Sequence, residues 1–142
     1  MAGYSATPLA KKLGIKDAFR IALVNAPHGF REELGALPAQ VSFVNKSSGP
    51  IDLILFFAKT ESELSGDFTK LASKLAPAGM LWVAWPKKAS GVSTDLSFER
   101  VQKIGLGAGL VDTKICAVND VWSGLRFVIR LKDRPGASTA KK

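Results

Sequence analysis

Three stretches of the chain are apolar through their centres without alternation: Phe19–Asn25 (FRIALVN), Ile51–Ala58 (IDLILFFA) and Met80–Trp85 (MLWVAW). Runs of this length and kind predict strands covered on both faces. Val41–Val44 (VSFV) reads as a shorter strand, and Leu110–Val118 and Leu125–Leu131 as two more. The residues between this last pair, NDVWSG, suit a hairpin-type loop.

Between the strands the period changes. Leu64, Phe68, Leu71 and Leu75 recur at spacings of 4, 3 and 4, one stripe of a helix begun at Thr60 or Ser62 and stopped by APAG, Ala76–Gly79. Thr94 or Asp95 caps a second helix, in which Leu96, Val101, Ile104 and Ala108 can face a core, and Gly109 ends it. Near the start, Thr7 caps a short helix with Pro8 at its first position. Leu9 and Leu13 share one face of it, Lys11 and Lys12 lie on the wet side, and Gly14 ends it. A further short helix covers Phe30–Leu34.

Strands alternating with helices predict an α/β fold. The sheet is Rossmann-like, mostly parallel, of about six strands, with flanking helices and a C-terminal antiparallel hairpin. One domain spans 1–131, and 132–142 forms a basic flexible tail. One join is awkward. Only NKSSGP, Asn45–Pro50, links the second strand to the third, whereas a parallel crossover normally takes about a dozen residues or more. Either this segment runs back extended along a very short strand, or Val41–Val44 pairs antiparallel to its successor.

Composition narrows the function classes. Of the net charge of +8, the tail contributes +3 through Lys132, Arg134, Lys141 and Lys142 against Asp133. A basic surface favours polyanions, although no dense basic run is present and solubility explains it equally well. Cys116 and His28 are the single residues of their types, so no internal disulfide and no zinc site of the usual Cys/His kind can be built. The N-terminus lacks the apolar core of a signal peptide, and no apolar run is long enough to span a bilayer. The chain reads as cytoplasmic, with no membrane partner.

In an open α/β sheet, ligands bind beyond the carboxyl ends of the parallel strands. That rule selects NAPHG after the first strand, KTES after the third and PKKASGV after the fourth, with NDVWSG on the same edge if the fifth strand is parallel. The candidate ligand-binding residues are Asn25, His28, Gly29, Pro86, Lys87, Lys88, Ser90, Gly91, Trp122 and Ser123, with Lys59 and Asp120 nearby. Lys87 and Lys88 follow a buried strand, and Ser90-Gly91 permits a nest of backbone amides for an anion. The plainer reading of both lysines is loop solubility. Asp95, expected in the first turn of the following helix, opposes a phosphate there. His28 reads as an exposed turn residue or as a general acid–base group. Trp122 either stacks on a ring-bearing ligand or packs back onto Trp85. Cys116 is most simply a small core residue. Arg126 and Arg130 share one strand face, which is therefore partly wet or meets a protein or nucleic acid. No residues stand out as catalytic or metal-ligating. The partner classes left open are an anionic small molecule, a nucleic acid and a protein.

The segments GPIDLILFF, LAPAGMLWVAWP and GAGLV, followed by a terminal strand pair, are similar to the C-terminal half of the class I methyltransferase version of the Rossmann fold. More of the chain, to about Arg134, resembles a family of small bacterial proteins known only as a domain of unknown function. GYSATPLAKKLGIK, WPKKASGVSTDL and WSGLRFVIRLKDR carry that likeness. The resemblance implies a truncated methyltransferase-like fold. It leaves the cofactor unknown and the reaction open: a non-catalytic module for a nucleotide or phosphorylated metabolite, an interaction module, or a minimal SAM-dependent methyltransferase. Three features depart from the methyltransferase pattern, one of them that the segment between the second and third strands is too short for the usual helix and strand. The turn after the first strand is NAPHG rather than glycine-rich, and Asn45-Lys46 stands where an acidic residue usually meets the ribose.

Overall fold

The computed structural model describes residues 8–134. The first half contains α1 (Leu9–Leu13), β1 (Arg20–Val24), α2 (Phe30–Glu33), β2 (Ser42–Phe43) and β3 (Ile51–Phe57). The second half contains α3 (Glu61–Ala72), β4 (Leu75–Pro86), α4 (Phe98–Gly107), β5 (Leu110–Ala117) and β6 (Trp122–Ile129). Short 3-10 turns cover Lys88–Ser90 and Leu131–Asp133. The expected Thr7 cap and the tail from 135 onward lie outside the described residues. Pro8 occupies the N-cap position of α1 instead of its first turn.

One six-stranded sheet runs in the order β2-β1-β3-β4-β6-β5. β2, β1, β3 and β4 are parallel, and β6 lies antiparallel between β4 and β5. This is the α/β architecture with a C-terminal hairpin that the pattern implied. Among the described residues, no helix is long and apolar enough to cross a membrane.

The short join between β2 and β3 has a geometric answer. β2 pairs only Ser42 with Arg20 and Phe43 with Ile21, on the side of β1 away from β3. β3 meets the same Ile21 at Leu53. The chain therefore crosses beneath one strand, about 10 Å, and backs up by a couple of residues, while six extended residues reach about 20 Å. Arg20 holds the crossing in place: its Nη2 donates to the Ser48 carbonyl (2.8 Å), and its backbone N donates to Asp52 Oδ2 (2.8 Å). The segment runs back along a very short parallel strand, the first of the two alternatives.

Period-two alternation along the central strands divides the core into two clusters. Leu81, Val83 and Trp85 join Ile54, Phe56, Leu125 and Phe127 under α3 and α4. Trp82 and Ala84 join Leu53, Leu55, Phe57 and Trp122 under α1 and α2. Trp85 and Trp122 thus stand on opposite faces. They cannot pack together, because the register pairs Trp122 with Pro86 and Ser123 with Trp85.

Helix limits differ from expectation at two places. Leu64, Phe68 and Leu71 are buried on α3, but Leu75 already begins β4, opposite Ile51. Leu53 then pairs with Met80, so the APAG segment bulges within the strand instead of ending the helix. A Cβ on Gly79 would lie 2.7 Å from the Ile51 carbonyl oxygen, so this bulge admits only glycine. α4 starts at Phe98 behind a Ser97 cap, whose Oγ accepts from Arg100 N (3.3 Å), later than Thr94 or Asp95.

Gly105 of α4 is buried against Phe127, whose ring stands edge-on to Phe68 at 5.3 Å. A Cβ at position 105 would fall 2.0 Å from Phe127 Cε1, whereas one at Gly66 on α3 meets nothing within 4 Å. Overpacking costs about 1–3 kcal/mol, and replacing a helical glycine with alanine returns about 1 kcal/mol. In urea unfolding, Gly66→Ala should raise stability by about 0.5–1 kcal/mol, and Gly105→Ala should lower it by about 1–2 kcal/mol.

Candidate functional site

The carboxyl ends of β1, β3 and β4 and the tip of the β5–β6 hairpin meet on one edge of the sheet. β1 leaves through Asn25 in the left-handed region (φ 58°), and Gly29 repeats that conformation (φ 81°) before α2. Asparagine is the side chain that tolerates this region best after glycine. Asn25, His28 and Gly29 are all exposed, and Ala26 and Pro27 are half-buried. His28 has no hydrogen-bond partner among the described residues, so no carboxylate orients its ring.

β3 leaves through Ala58, whose N donates to the Ala84 carbonyl (2.9 Å), into exposed Lys59 and Thr60. The N-terminus of α3 is sealed by side chains. Thr60 Oγ1 accepts from Glu63 N (3.0 Å), and Glu63 Oε1 accepts from Lys59 N (2.9 Å) and Thr60 N (3.3 Å). Asp95 Oδ1 accepts from Glu61 N (2.7 Å), and Thr94 Oγ1 donates to the Lys59 carbonyl (2.6 Å). Asp95 therefore caps α3 from the loop before α4 and is not in the first turn of α4. These bonds occupy the Lys59, Thr60, Glu61 and Glu63 amides that an anion would seek at α3.

β4 ends in buried Pro86, and Lys87 N donates to the Val121 carbonyl (2.7 Å), which ties the lysine segment to the hairpin tip. Ser90 N and Gly91 N donate to the Lys87 and Lys88 carbonyls, and Ser90 Oγ donates to the Lys87 carbonyl (2.6 Å). These groups are used inside their own turn, so the expected nest of amides does not form there. What the turn presents outward is the two side chains, Lys87 half-buried and Lys88 exposed.

The hairpin is tighter than NDVWSG implied. Asn119 Oδ1 accepts from Val121 N (2.9 Å) and Trp122 N (3.0 Å), and Val118 N donates to the Trp122 carbonyl (2.9 Å). That asparagine turn places Trp122 and Ser123 within β6. Trp122 is buried, edge-on to Phe57 at 5.0 Å, and Phe57 is in turn edge-on to Phe30 at 4.9 Å. It braces the edge from within and offers no ring face to a ligand. Asn119 Nδ2 also donates to Glu33 Oε1 (2.7 Å), joining the tip to α2. Neither Asn119 nor Glu33 stood out in the sequence. An asparagine three residues before a strand tryptophan is the one local signal available.

Two other features lie off this edge. A groove of about 630 Å³ runs between α1 and the following loop, lined by Pro8, Ala10, Lys11, Ile15, Lys16 and Pro38 among others. It sits toward the amino end of β1, where Ala18 N donates to the Ala39 carbonyl (2.8 Å). Cys116 on β5 is half-buried, and desolvation pushes its thiol up despite the opposing charges of Lys12, Lys114 and Arg126. It is therefore protonated at neutral pH.

With this geometry established, comparison with known proteins places the fold. The structure aligns with precorrin-6y C5,15-methyltransferase from Geobacter metallireducens at a TM-score of 0.60 and 8% identity, covering 85% of each chain. A SAM-dependent methyltransferase from Aquifex aeolicus aligns at 0.59 and 15%, covering 84% of this chain and 86% of that one. Magnesium protoporphyrin IX methyltransferase from Synechocystis, solved with bound SAM, aligns at 0.58 and 13%, covering 85% and 74%. The fold is Rossmann-like and methyltransferase-like. No protein-family model matches the chain, and no curated protein matches it.

The seal on α3 can be tested alone. Asp95→Ala should destabilise the protein by about 1 kcal/mol, the usual value of a lost helix cap. Hydrogen exchange should speed up at Glu61 and leave Arg100, capped by Ser97, unchanged.

Proposed function

We propose that the carboxyl edge between β1 and β3 holds a cofactor of the S-adenosylmethionine type, and that the protein is a minimal SAM-dependent methyltransferase. One observation carries this reading. β1 is flanked by β2 on one side and β3 on the other, so the strand order reverses at β1. The chain leaving β1 enters α2 over one face, and the chain leaving β3 enters α3 over the other. A crevice opens where neighbouring connections diverge in this way, and ligands of open α/β sheets lie there. Structural neighbours include a methyltransferase with bound SAM.

The residues fit this cofactor in part. Asn25 and Gly29 both adopt the left-handed backbone in this turn, and Gly29 has no side chain to block a ligand from the backbone. β2 fits less well. It stops opposite Ile21, while β1 continues to Val24, so Asn45 lies below the edge and supplies no carboxylate to a ribose. Bound SAM would supply an electrophilic methyl group on a sulfonium. Asn25 and Gly29 would line its approach, and His28 is the one titratable ring beside them. Losing a charge-assisted hydrogen-bond pair costs about 1.5–3 kcal/mol, or about ten- to a hundred-fold in affinity. Isothermal calorimetry at high protein concentration should therefore give a weak, saturable heat with S-adenosylmethionine. Gly29→Asn, which keeps the left-handed backbone and adds a side chain, should abolish that heat with no loss of fold by circular dichroism. A flat titration of the native protein removes the reading.

A second reading rests on a different observation. Lys87 and Lys88 stand side by side where the buried β4 ends, Lys87 half-buried and Lys88 exposed. We infer from this a non-catalytic module that holds an anionic ligand, a nucleotide or phosphorylated metabolite, through those two ammonium groups. Thermal shift with a nucleotide panel should show stabilisation that Lys87→Glu/Lys88→Glu abolishes. Equal shifts for both proteins would dismiss it.

A further inference from the structure

The two faces of the sheet carry different charge. Half of the twelve acidic residues of the chain, Glu61, Glu63, Asp67, Asp95, Glu99 and Asp112, stand on α3, on α4, or beside them. Asp112 belongs to that side because its Oδ2 accepts from Gln102 Nε2 of α4 (3.2 Å). On the opposite side, the outer half of the β5–β6 hairpin beside α1 presents cations. Lys114 stands directly across from Arg126 in the strand register. Lys12 reaches over from α1, its Nζ donating to the Ala117 carbonyl (3.0 Å). All three cations act on the Cys116 thiol between them.

This arrangement works against the fold's own stability. Like charges directly opposite on adjacent strands repel, and no carboxylate among the described residues pairs with any of the three. Two of the cations, Lys12 and Arg126, are nonetheless held in fixed places. Arg126 Nε donates to Thr113 Oγ1 (2.8 Å), and its guanidinium lies 5.9 Å from the centre of the buried Trp82 ring. Thr113 and Lys114 are exposed, and Val111, Cys116, Arg126 and Val128 are half-buried, so among the described residues no helix covers this part of the sheet. Three cations side by side on a strand face that no described helix covers, two of them anchored, complement a chain of phosphates. A single buried anion would need a concave, desolvated pocket, and this face is flat.

We propose that the α1-side face of the β5–β6 hairpin, with Lys12, Lys114 and Arg126, is a binding surface for the phosphate backbone of nucleic acid. The proposal does not rest on a cofactor at the carboxyl edge. Its contacts are to phosphates, so it predicts affinity without strong sequence preference and with steep salt dependence.

The test is fluorescence anisotropy of the full chain with a labelled single-stranded 20-mer of mixed sequence, across a salt series and without S-adenosylmethionine. Binding at low salt should weaken as salt rises. Each phosphate contact removed lowers the log–log slope by about 0.7 for single strands. Lys12→Gln/Lys114→Gln should therefore lower it by about 1.4 and weaken low-salt affinity at least tenfold. Lys70→Gln/Lys103→Gln on the helix face should change neither. Lys114→Gln alone, at an exposed position, keeps the test valid should the double variant unfold, with an expected slope loss of about 0.7. Three results overturn the proposal: no binding at low salt, equal losses from the two double variants, or tighter binding of anionic phospholipid vesicles or poly-glutamate at the same salt with the same sensitivity to Lys114. Calorimetry with S-adenosylmethionine has no bearing on any of them, so this surface and the edge site fail separately.

Discussion

Trp82 is wholly buried in the middle of the sheet, and its indole Nε1 donates to the Leu13 carbonyl at 2.9 Å. The bond answers two needs. A buried indole N–H without a partner costs about 1–3 kcal/mol, and Leu13 belongs to the last turn of a helix, whose carbonyls have no intrahelical donors. At five residues, α1 is too short to hold its shape alone. Its place depends on this bond and on the burial of Ala10 and Leu13. Gly14 (φ 88°) then turns the chain away, with Gly14 N donating to Lys11 O and Ile15 N to Ala10 O. With α1 docked, the face of Trp82, Leu55 and Phe57 is closed, and the Phe30–Phe57–Trp122 stack can brace the carboxyl edge from beneath.

Much of this was legible in the chain because the central strands carry a strong signal. Leu53–Phe57 and Leu81–Trp85 are buried on both faces, and strands of that kind have no polar alternation to confuse with a loop. The start of α3 was readable to within two residues, and the structure settles it at Thr60, whose capping box with Glu63 is a local pattern with a local cause. What sequence reasoning missed depends on partners distant in sequence. Leu75 continues the helical spacing of α3, yet its backbone is claimed by Ile51 of β3. Asp95 reads as a cap for the helix that follows it, yet it caps the helix before it, across 34 residues. Trp122 looked like a loop residue until the Asn119 side chain shortened the hairpin.

The candidate site was legible in position and not in chemistry. The rule for open sheets located the loops, and the structure gathers them through Lys87 to Val121 and Asn119 to Glu33. It also changes what they offer. Pro86 and Trp122 are structural, and the amides around Ser90 and Gly91 are committed to their own turn. The exposed atoms at the switch point belong to Asn25, His28, Gly29 and Lys59. The cation cluster on the outer hairpin was invisible in composition, because it arises only when the irregularity between Asp112 and Lys114 breaks the alternation and sends Lys114 to the face of Arg126 and Asp112 to the other.

The account turns on the crevice between β1 and β3 being the place where a nucleoside ligand is received. Hydrogen–deuterium exchange with and without saturating S-adenosylhomocysteine tests this most directly. The account predicts slowed exchange in peptides covering 25–30 and 58–60, with α4 and β5 unchanged. Slowing confined to the groove around Pro8–Asp17 and Pro38, or no slowing anywhere, would contradict it.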